Sequence, residues 1–267
     1  MPTIRANDID IGYERLGAGP PLILLHAASS SGRVDFAAQI PHLATAFQLY
    51  LPDARGHGAT RWDPDAGFAA EMLVDDLEAF GDALGIDTFH LLGFSMGGMT
   101  ALALAIRQPE RIRTLVVAGV SVEREPRSSV VRRLLDPARI ERDDPTWAGQ
   151  LGRRHDPGQG PGVWRRLLPA IAHDVATQPL LEPRQLRSIS APTLVVSGDV
   201  DPFVPVDQAW ALARQLRDGR LLVAPDCGHE VLSQRSAIVN RALPDFYRST
   251  EAVARSRVGR QPEVPRC

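Results

Sequence analysis

A serine flanked by glycines stands where a short apolar run meets an alanine- and leucine-rich segment. Residues 93–97 read Gly-Phe-Ser-Met-Gly, follow the apolar run 89–92, and lead into residues 99–108. This order predicts a strand, a tight turn that carries Ser95, and a helix. The glycines relieve crowding around a strained residue, and the helix directs its first N–H groups toward the serine. The arrangement favours nucleophilic chemistry by the Ser95 hydroxyl.

A serine hydroxyl is a weak nucleophile that needs a base, and the base needs an acid to orient it. In open α/β sheets the active site lies at the carboxyl ends of the strands, so candidates should follow late strands. A predicted strand at 193–198 is followed by Asp199 and Asp201, and the next, at 220–224, by His229. The spacing leaves both aspartates open, since one of them could be a solvated turn residue.

These residues need a scaffold in which strands and helices alternate. Apolar alternation or continuous apolar runs predict strands at 9–13, 21–26, 48–52, 89–94, 114–120, 193–197 and 220–224. Helical spacing predicts helices at 36–47, 69–84, 99–108, 206–216 and 236–248. Such alternation is typical of an α/β fold with a mostly parallel, doubly wound sheet covered on both faces.

The character of the chain changes between residues 121 and 187. This segment is rich in arginine, aspartate and proline, with helical pieces at 132–135 and 163–176 and no strand pattern. We expect a core formed by residues 1–120 and 188–248, a helical lid at 121–187 over the Ser95 end of the sheet, and a flexible tail at 249–267.

The order Ser95, Asp201, His229 resembles that of the α/β-hydrolase superfamily, and the likeness runs from about residue 9 to 247. Three further segments match the family's pattern: Leu24-Leu25-His26, Asp53-Ala54-Arg55-Gly56-His57-Gly58 and Ala191-Pro192-Thr193-Leu194. The resemblance implies an α/β-hydrolase fold with Ser95 as nucleophile, His229 as base and Asp201 as the orienting acid. It also implies structural roles for His26 and His57.

An acyl-transfer intermediate needs two N–H donors for its oxyanion. The N–H of Met96, which follows the nucleophile, is one expected donor, and the resemblance assigns the other to Ala28. Relatives usually carry His-Gly where this chain has His26 and Ala27. If the family's glycine has a positive φ, Ala27 is strained or the loop shifts.

Substrate contacts are expected from aromatic residues near Ser95 and in the lid, namely Phe94, Phe203, Trp147 and Trp164. The apolar residues of the lid are too few for an independent core, so we expect them to pack on the catalytic domain or line its pocket. Its arginines (Arg124, Arg127, Arg132, Arg133, Arg153, Arg154, Arg165, Arg166) are expected to face water. One turned inward would favour a substrate carboxylate.

The composition of the chain bears on its partners, cofactors and cellular location. The net charge of −2 gives no reason to expect nucleic acid or a membrane as partner, and a homodimer is one option left open. All 30 basic residues are arginine, which excludes Schiff-base and phosphate-loop lysine chemistry. No metal or dinucleotide motif appears, so no cofactor is expected. Cys227 and Cys267 form a poor disulfide framework, and no signal peptide is evident, so we expect a cytoplasmic protein.

These features predict a hydrolase that cleaves a small carboxylic ester or lactone through an acyl-enzyme. The Ser-Met-Gly-Gly form also occurs in carbon–carbon bond hydrolases and cofactor-free perhydrolases of the superfamily, so both remain alternatives. A non-hydrolytic enzyme of secondary metabolism and a non-catalytic ligand-binding protein are further alternatives. Serine rather than aspartate at position 95 disfavours the haloalkane dehalogenases.

Overall fold

One mostly parallel sheet organises the chain. The computed structural model describes residues 1–258, and within them eight strands pair in the order β1-β2-β4-β3-β5-β6-β7-β8. They are β1 (Thr3–Ala6), β2 (Ile9–Gly17), β3 (Pro21–Leu25), β4 (Gln48–Pro52), β5 (Phe89–Phe94), β6 (Ile112–Ala118), β7 (Thr193–Gly198) and β8 (Gly219–Ala224). The β1–β2 and β2–β4 pairs are antiparallel, and the pairs from β4 to β8 are parallel.

The central strands are buried on both faces. Successive side chains of a strand point to opposite sides of the sheet, so one apolar run serves two cores. Along β3, Ile23 packs in one apolar cluster while Leu22 and Leu24 pack in the other. Every residue of β5 and β7 is buried. The structure thereby confirms the predicted α/β architecture, with its sheet covered on both faces.

Helices cover the two faces and connect the parallel strands. They are α1 (Gly32–Asp35), α2 (Ile40–Leu43), α3 (Ala70–Ala83), α4 (Met96–Arg107), α10 (Val206–Gln215), α11 (Val231–Gln234) and α12 (Ser236–Val258). The helix predicted at 36–47 is wrong in extent, because within this range only Ile40–Leu43 (α2) is helical and α1 ends before it. Pro41 lies in the first turn of α2, where its missing N–H costs no helical hydrogen bond, so a new helix begins at that point.

Between β6 and β7, the described chain contains five helices and no strand. They are α5 (Arg127–Leu134), α6 (Pro137–Asp143), α7 (Pro145–Gln159), α8 (Trp164–Thr177) and α9 (Pro183–Ser188). We call residues 121–187 the insertion. Most of its buried apolar side chains form one cluster, which also contains the buried Trp62 from outside the insertion. The partly buried Ala28 and Met96 of the catalytic domain pack against this cluster. The apolar residues of the insertion therefore do not form an independent core but pack on the catalytic domain, as expected.

The C-terminal helix runs further than the sequence pattern suggested. Helix α12 continues to Val258, so the first part of the predicted tail, residues 249–258, is helical. Ser249 Oγ accepts a hydrogen bond from Arg220 at 3.0 Å, and Thr250 is buried, which ties this end to β8. The rest of the predicted tail, 259–267, lies outside the described residues. In the part of the chain that the structure describes, no helix is long and apolar enough to cross a membrane.

Candidate active site

Ser95 lies on the tight turn between β5 and α4. Its backbone has φ 51° and ψ −113°, a conformation that a non-glycine residue rarely adopts. The turn brings the two ends of the motif close together: a Cβ at Gly93 would lie 2.3 Å from the carbonyl oxygen of Gly97. The Ser95 N–H donates to the carbonyl of Ala118 on β6 at 2.8 Å. The two glycines and the neighbouring strand thus hold the serine in its strained conformation.

The side chains of Ser95, His229 and Asp201 form a continuous hydrogen-bonded chain. Ser95 Oγ lies 2.9 Å from His229 Nε2, and His229 Nδ1 lies 2.8 Å from Asp201 Oδ2. The other oxygen of Asp201 accepts backbone N–H bonds from Phe203 at 2.8 Å and Val204 at 3.2 Å. Because the buried carboxylate accepts from Nδ1, neutral His229 presents its Nε2 lone pair to the serine hydroxyl.

Asp199, the competing aspartate, is a turn residue. Its side chain accepts a hydrogen bond from the backbone N–H of Cys227 at 3.1 Å. Backbone donors at Cys227 and Asp226 lower the pKa of this exposed carboxyl. Among the described residues it makes no hydrogen bond to His229, so the geometry places Asp201 alone beside the histidine.

The loop after β3 brings Ala28 to the cavity that contains Ser95. Ala28 and Met96 both line the cavity that contains Ser95. Among the described residues, neither of their backbone N–H groups donates to another protein group. Two N–H donors near a nucleophile are the arrangement that an oxyanion hole requires.

The strain anticipated at Ala27 does not occur. The positive φ of this loop falls two residues later, at Ser29, with φ 61°. Ala27 is instead held by hydrogen bonds: its N–H donates to Asp35 at 2.7 Å, and its carbonyl accepts from His26 Nδ1 at 2.7 Å. The alanine therefore fits the loop, and the left-handed residue is a serine.

Three buried histidines support the same loop. His26 Nε2 accepts the Ala54 N–H at 2.9 Å, and His57 Nε2 accepts the Ser29 N–H at 3.2 Å. Burial lowers the pKa of His26, and burial with the neighbouring histidines holds the pKa of His57 well below its usual range. Both rings are thus neutral and able to accept. These contacts agree with the structural roles that the resemblance implied.

The third histidine, His155, reaches the loop from the insertion. Its Nδ1 accepts the Gly58 N–H at 3.1 Å, and its Nε2–H donates to the Ser29 carbonyl at 3.3 Å. Arg154 donates to the same carbonyl. Burial lowers the pKa of His155 to about 4. No sequence pattern indicates this role, because which face of α7 meets the loop depends on tertiary packing.

A cavity with an empty volume of about 610 Å³, which includes its open mouth, contains the serine. Its walls are mostly apolar, with Phe68, Leu73, Met99, Val120, Val131, Ile171, Val175 and Phe203 among the lining residues. Phe203, a predicted substrate contact, also stacks on the His229 ring, with the ring centroids 4.2 Å apart. A mostly apolar lining with a few polar groups is typical of a small-molecule site.

The other predicted substrate contacts do not line this cavity. Trp164 is 1% exposed and fills the apolar cluster of the insertion. Trp147 borders a separate surface cavity beside Pro202. Phe94 is buried in the core, and its ring packs against His229 at a centroid distance of 5.2 Å. Aromatic character alone was a poor guide, because in a small helical insertion the largest side chains are needed to form its core.

Arg127 departs from the expectation that the arginines of the insertion face water. It is buried, and it lines the cavity together with Ser95. Its position could not be read from the sequence, because no periodic pattern marks the inner face of α5.

The remaining candidate groups carry no chemistry in this geometry. Cys227 is buried, and burial raises the pKa of its thiol, as expected for a small filler. Within residues 1–258, no three His, Cys, Asp or Glu side chains are grouped so as to hold a metal ion.

Comparison with known proteins gives consistent matches. The model of the α/β hydrolase fold family matches residues 20–156, and that of the TAP-like protein family matches residues 169–257. The chain is 29% identical to 2-hydroxymuconate semialdehyde hydrolase from Pseudomonas sp. (strain CF600), over 89% of this chain and 90% of that protein.

Solved structures show the same fold. A meta-cleavage product hydrolase from Pseudomonas fluorescens IP01 matches with a TM-score of 0.78 and 23% identity, over 93% of this chain and 98% of that one. Est816, described as an N-acyl homoserine lactone degrading enzyme, matches with a TM-score of 0.74 and 27% identity, over 92% and 100%. The fold class and the resemblance predicted from the sequence are thereby confirmed, and the chain belongs to the α/β-hydrolase fold family.

Proposed function

We propose that this hydrolase uses Ser95 as nucleophile, His229 as general base and Asp201 to orient the histidine, and that it cleaves a carbon–carbon bond next to a carbonyl. The observation that carries the proposal is the hydrogen-bonded chain from Ser95 Oγ through His229 to Asp201. A hydroxyl whose proton can pass to a neutral imidazole is an activated nucleophile.

The reaction proceeds in two halves. Ser95 Oγ attacks the substrate carbonyl carbon while His229 Nε2 takes the hydroxyl proton, and the N–H groups of Ala28 and Met96 stabilise the oxyanion. Collapse of the intermediate breaks the bond to the leaving group, which takes the electron pair and the proton held by His229. Water, deprotonated by His229, then hydrolyses the acyl-enzyme and restores the Ser95 hydroxyl.

The bond type is inferred from the relatives. 2-Hydroxymuconate semialdehyde, the substrate named for the 29% identical relative, contains no ester or amide bond. Its hydrolysis must therefore break a carbon–carbon bond. A carbon leaving group can hold the electron pair only if a conjugated carbonyl delocalises it, and the 2-oxo tautomer, formed when the enol proton moves to the carbon next to the aldehyde, provides one. The balance is semialdehyde plus water to formate and a five-carbon 2-oxo acid.

Hydrolysis of a small ester or lactone, predicted from the sequence, is the second candidate. The likeness to Est816, at 27% identity over nearly the whole of both chains, favours it. The same catalytic groups would serve, because an alkoxide leaving group replaces the carbanion and accepts the same proton from His229.

We propose further that the insertion acts as a lid that selects the substrate. Val131 on α5 and Ile171 and Val175 on α8 line the cavity that contains Ser95. Side chains in that position determine which acyl or leaving group fits. These three residues, and not Trp147 or Trp164, are then the substrate contacts that the insertion provides.

A substrate comparison tests the proposed function. The purified protein is assayed with 2-hydroxymuconate semialdehyde, with p-nitrophenyl butyrate and with N-hexanoyl homoserine lactone, and Ser95→Ala serves as the control. We expect the highest kcat/KM for the semialdehyde, with formate released in equal amount, and loss of that activity in Ser95→Ala. Turnover of the ester or lactone without the semialdehyde would favour the second candidate. No turnover of any of the three would contradict both.

A further inference from the structure

Arg127 is a buried cation with two hydrogen-bond donors that find no partner within residues 1–258. It is the first residue of α5 and is 8% exposed. Its Nε and Nη2 atoms are buried, and neither makes a hydrogen bond within the part of the chain that the structure describes. A guanidinium stays charged even when buried, so such a site destabilises the folded protein unless an anion pairs with it.

Arg55, another buried arginine, has a carboxylate as its hydrogen-bond partner. Its Nε donates to Asp76 Oδ2 at 2.7 Å and its Nη2 donates to Asp76 Oδ1 at 2.5 Å. The two donors on one edge of the guanidinium thus bind both oxygens of a carboxylate. In Arg127 the same edge, formed by Nε and Nη2, has no partner among the residues that the structure describes.

The charged groups near Arg127 leave a net positive charge. Burial lowers the pKa of Arg127 and Arg124 lowers it further, while Asp174 raises it. Asp174 already accepts the Ala70 N–H at 3.0 Å, and Arg124 donates to backbone carbonyls at the end of α8, including that of Gln178. Arg124, Arg127 and Asp174 together carry a net charge of about +1. A ligand with one negative charge would neutralise it, whereas a dianion would leave an excess of negative charge.

The unpaired guanidinium and Ser95 line the same cavity. We propose that Arg127 binds a carboxylate of the substrate while Ser95 attacks a carbonyl elsewhere in the same molecule. The inference rests on the proposed nucleophilic role of Ser95 but holds for either bond type. Arg127 is then the residue that makes the enzyme select monoanionic acids over neutral substrates of equal size, and its Nε–Nη2 edge fixes the orientation of the bound molecule.

Matched substrates test the selection. We compare mono-p-nitrophenyl glutarate, which carries a carboxylate, with p-nitrophenyl pentanoate, which does not. Arg127→Met should lower kcat/KM for the glutarate about 10- to 100-fold and leave the pentanoate within about threefold. Arg127→Lys should recover part of the loss, because it restores the charge but not the paired donors. Arg132→Met, an exposed site on the same helix, is the control and should change neither. Equal effects of Arg127→Met on both esters would overturn the inference.

A binding measurement separates this inference from the proposed function. Calorimetry on Ser95→Ala, which cannot form an acyl-enzyme, compares monomethyl glutarate with dimethyl glutarate. We expect at least about tenfold tighter binding of the monoanion, and loss of that difference in Ser95→Ala/Arg127→Met. That result would support the carboxylate site even if the wild-type protein hydrolysed none of the substrates. No preference for the monoanion would overturn it even if the hydrolase activity were present.

The stability of Arg127→Met is a third readout. A buried cation without a partner destabilises the free protein, so its replacement by an apolar side chain of similar length should raise the Tm. A guanidinium with a purely structural role would show the opposite, a lower Tm accompanied by equal loss of activity on both esters.

Discussion

At the residue scale, the two aspartates after β7 provide an internal control. Asp201→Asn should lower kcat by about 10²- to 10⁴-fold, because an amide can no longer hold His229 in the tautomer that accepts the Ser95 proton. Asp199→Asn should change kcat by less than about threefold, because its contact is to the Cys227 backbone. Steady-state rates on whichever substrate the wild type accepts measure both. Comparable losses in the two variants would contradict the assignment of Asp201.

The residues that could be predicted from the sequence are those whose positions are set locally. Ser95 is fixed by its own strand–turn–helix motif, and Asp201 and His229 each follow a strand whose carboxyl end must lie at the same sheet edge. Arg127 and His155 could not be predicted, because both lie on helices whose inward face is set by tertiary packing. Burial of an arginine is also the less common outcome.

At the element scale, helix α7 of the insertion contacts the loop that supplies Ala28. Through His155 it is bonded to Ser29 and Gly58, and Arg154 adds a contact to Ser29. A small displacement of an oxyanion donor weakens transition-state binding more than ground-state binding. The insertion is therefore expected to affect the catalytic step as well as substrate choice.

His155→Phe tests this coupling. The variant keeps a ring in the buried site but removes both hydrogen bonds, so kcat should fall about tenfold while KM changes little. His173→Phe, at an exposed position on α8, is the matched control. If kcat in His155→Phe falls no more than in the control, the contact of α7 with this loop has no part in catalysis.

The elements themselves were predicted unevenly. Helix α3 was predicted within one residue at each end, because a long amphipathic repeat specifies both its face and its length. The region 36–47 looked continuous by its apolar spacing, yet only α2 is helical there, with Pro41 in its first turn. Most helices of the insertion were missed, since the apolar residues of their common cluster come from several helices.

At the scale of the whole molecule, buried neutral histidines link stability to pH. His90 on β5 bonds Thr114 Oγ1 through Nδ1 at 2.7 Å, and its Nε2 has no partner among the described residues. Burial lowers the pKa of His90 to about 4 from an unfolded value near 6.5. The unfolded chain therefore binds a proton here below about pH 6.5, and the folded chain only near pH 4. Through this residue, acidification from about pH 6.5 to 4 therefore lowers the free energy of unfolding of the protein.

The comparison of His90→Gln with the wild type isolates that contribution. Between pH 7.5 and about 4, the free energy of unfolding of the wild type should fall by up to about 3 kcal/mol more than that of the variant. Asp53, whose pKa burial raises to about 6, acts in the opposite direction, but it is present in both proteins. Urea titrations across the range measure the difference. His42→Gln, an exposed control, should follow the wild type, and parallel curves for His90→Gln would contradict the account.

The central claim is that Ser95 is the nucleophile of this molecule, activated by His229. Mass spectrometry of the protein after incubation with a fluorophosphonate tests it without knowledge of the substrate. We expect one adduct per chain on the peptide that contains Ser95, no adduct in Ser95→Ala, and much slower labelling in His229→Ala. An adduct on another residue, or an unlabelled Ser95 in the folded wild-type protein, would contradict the claim.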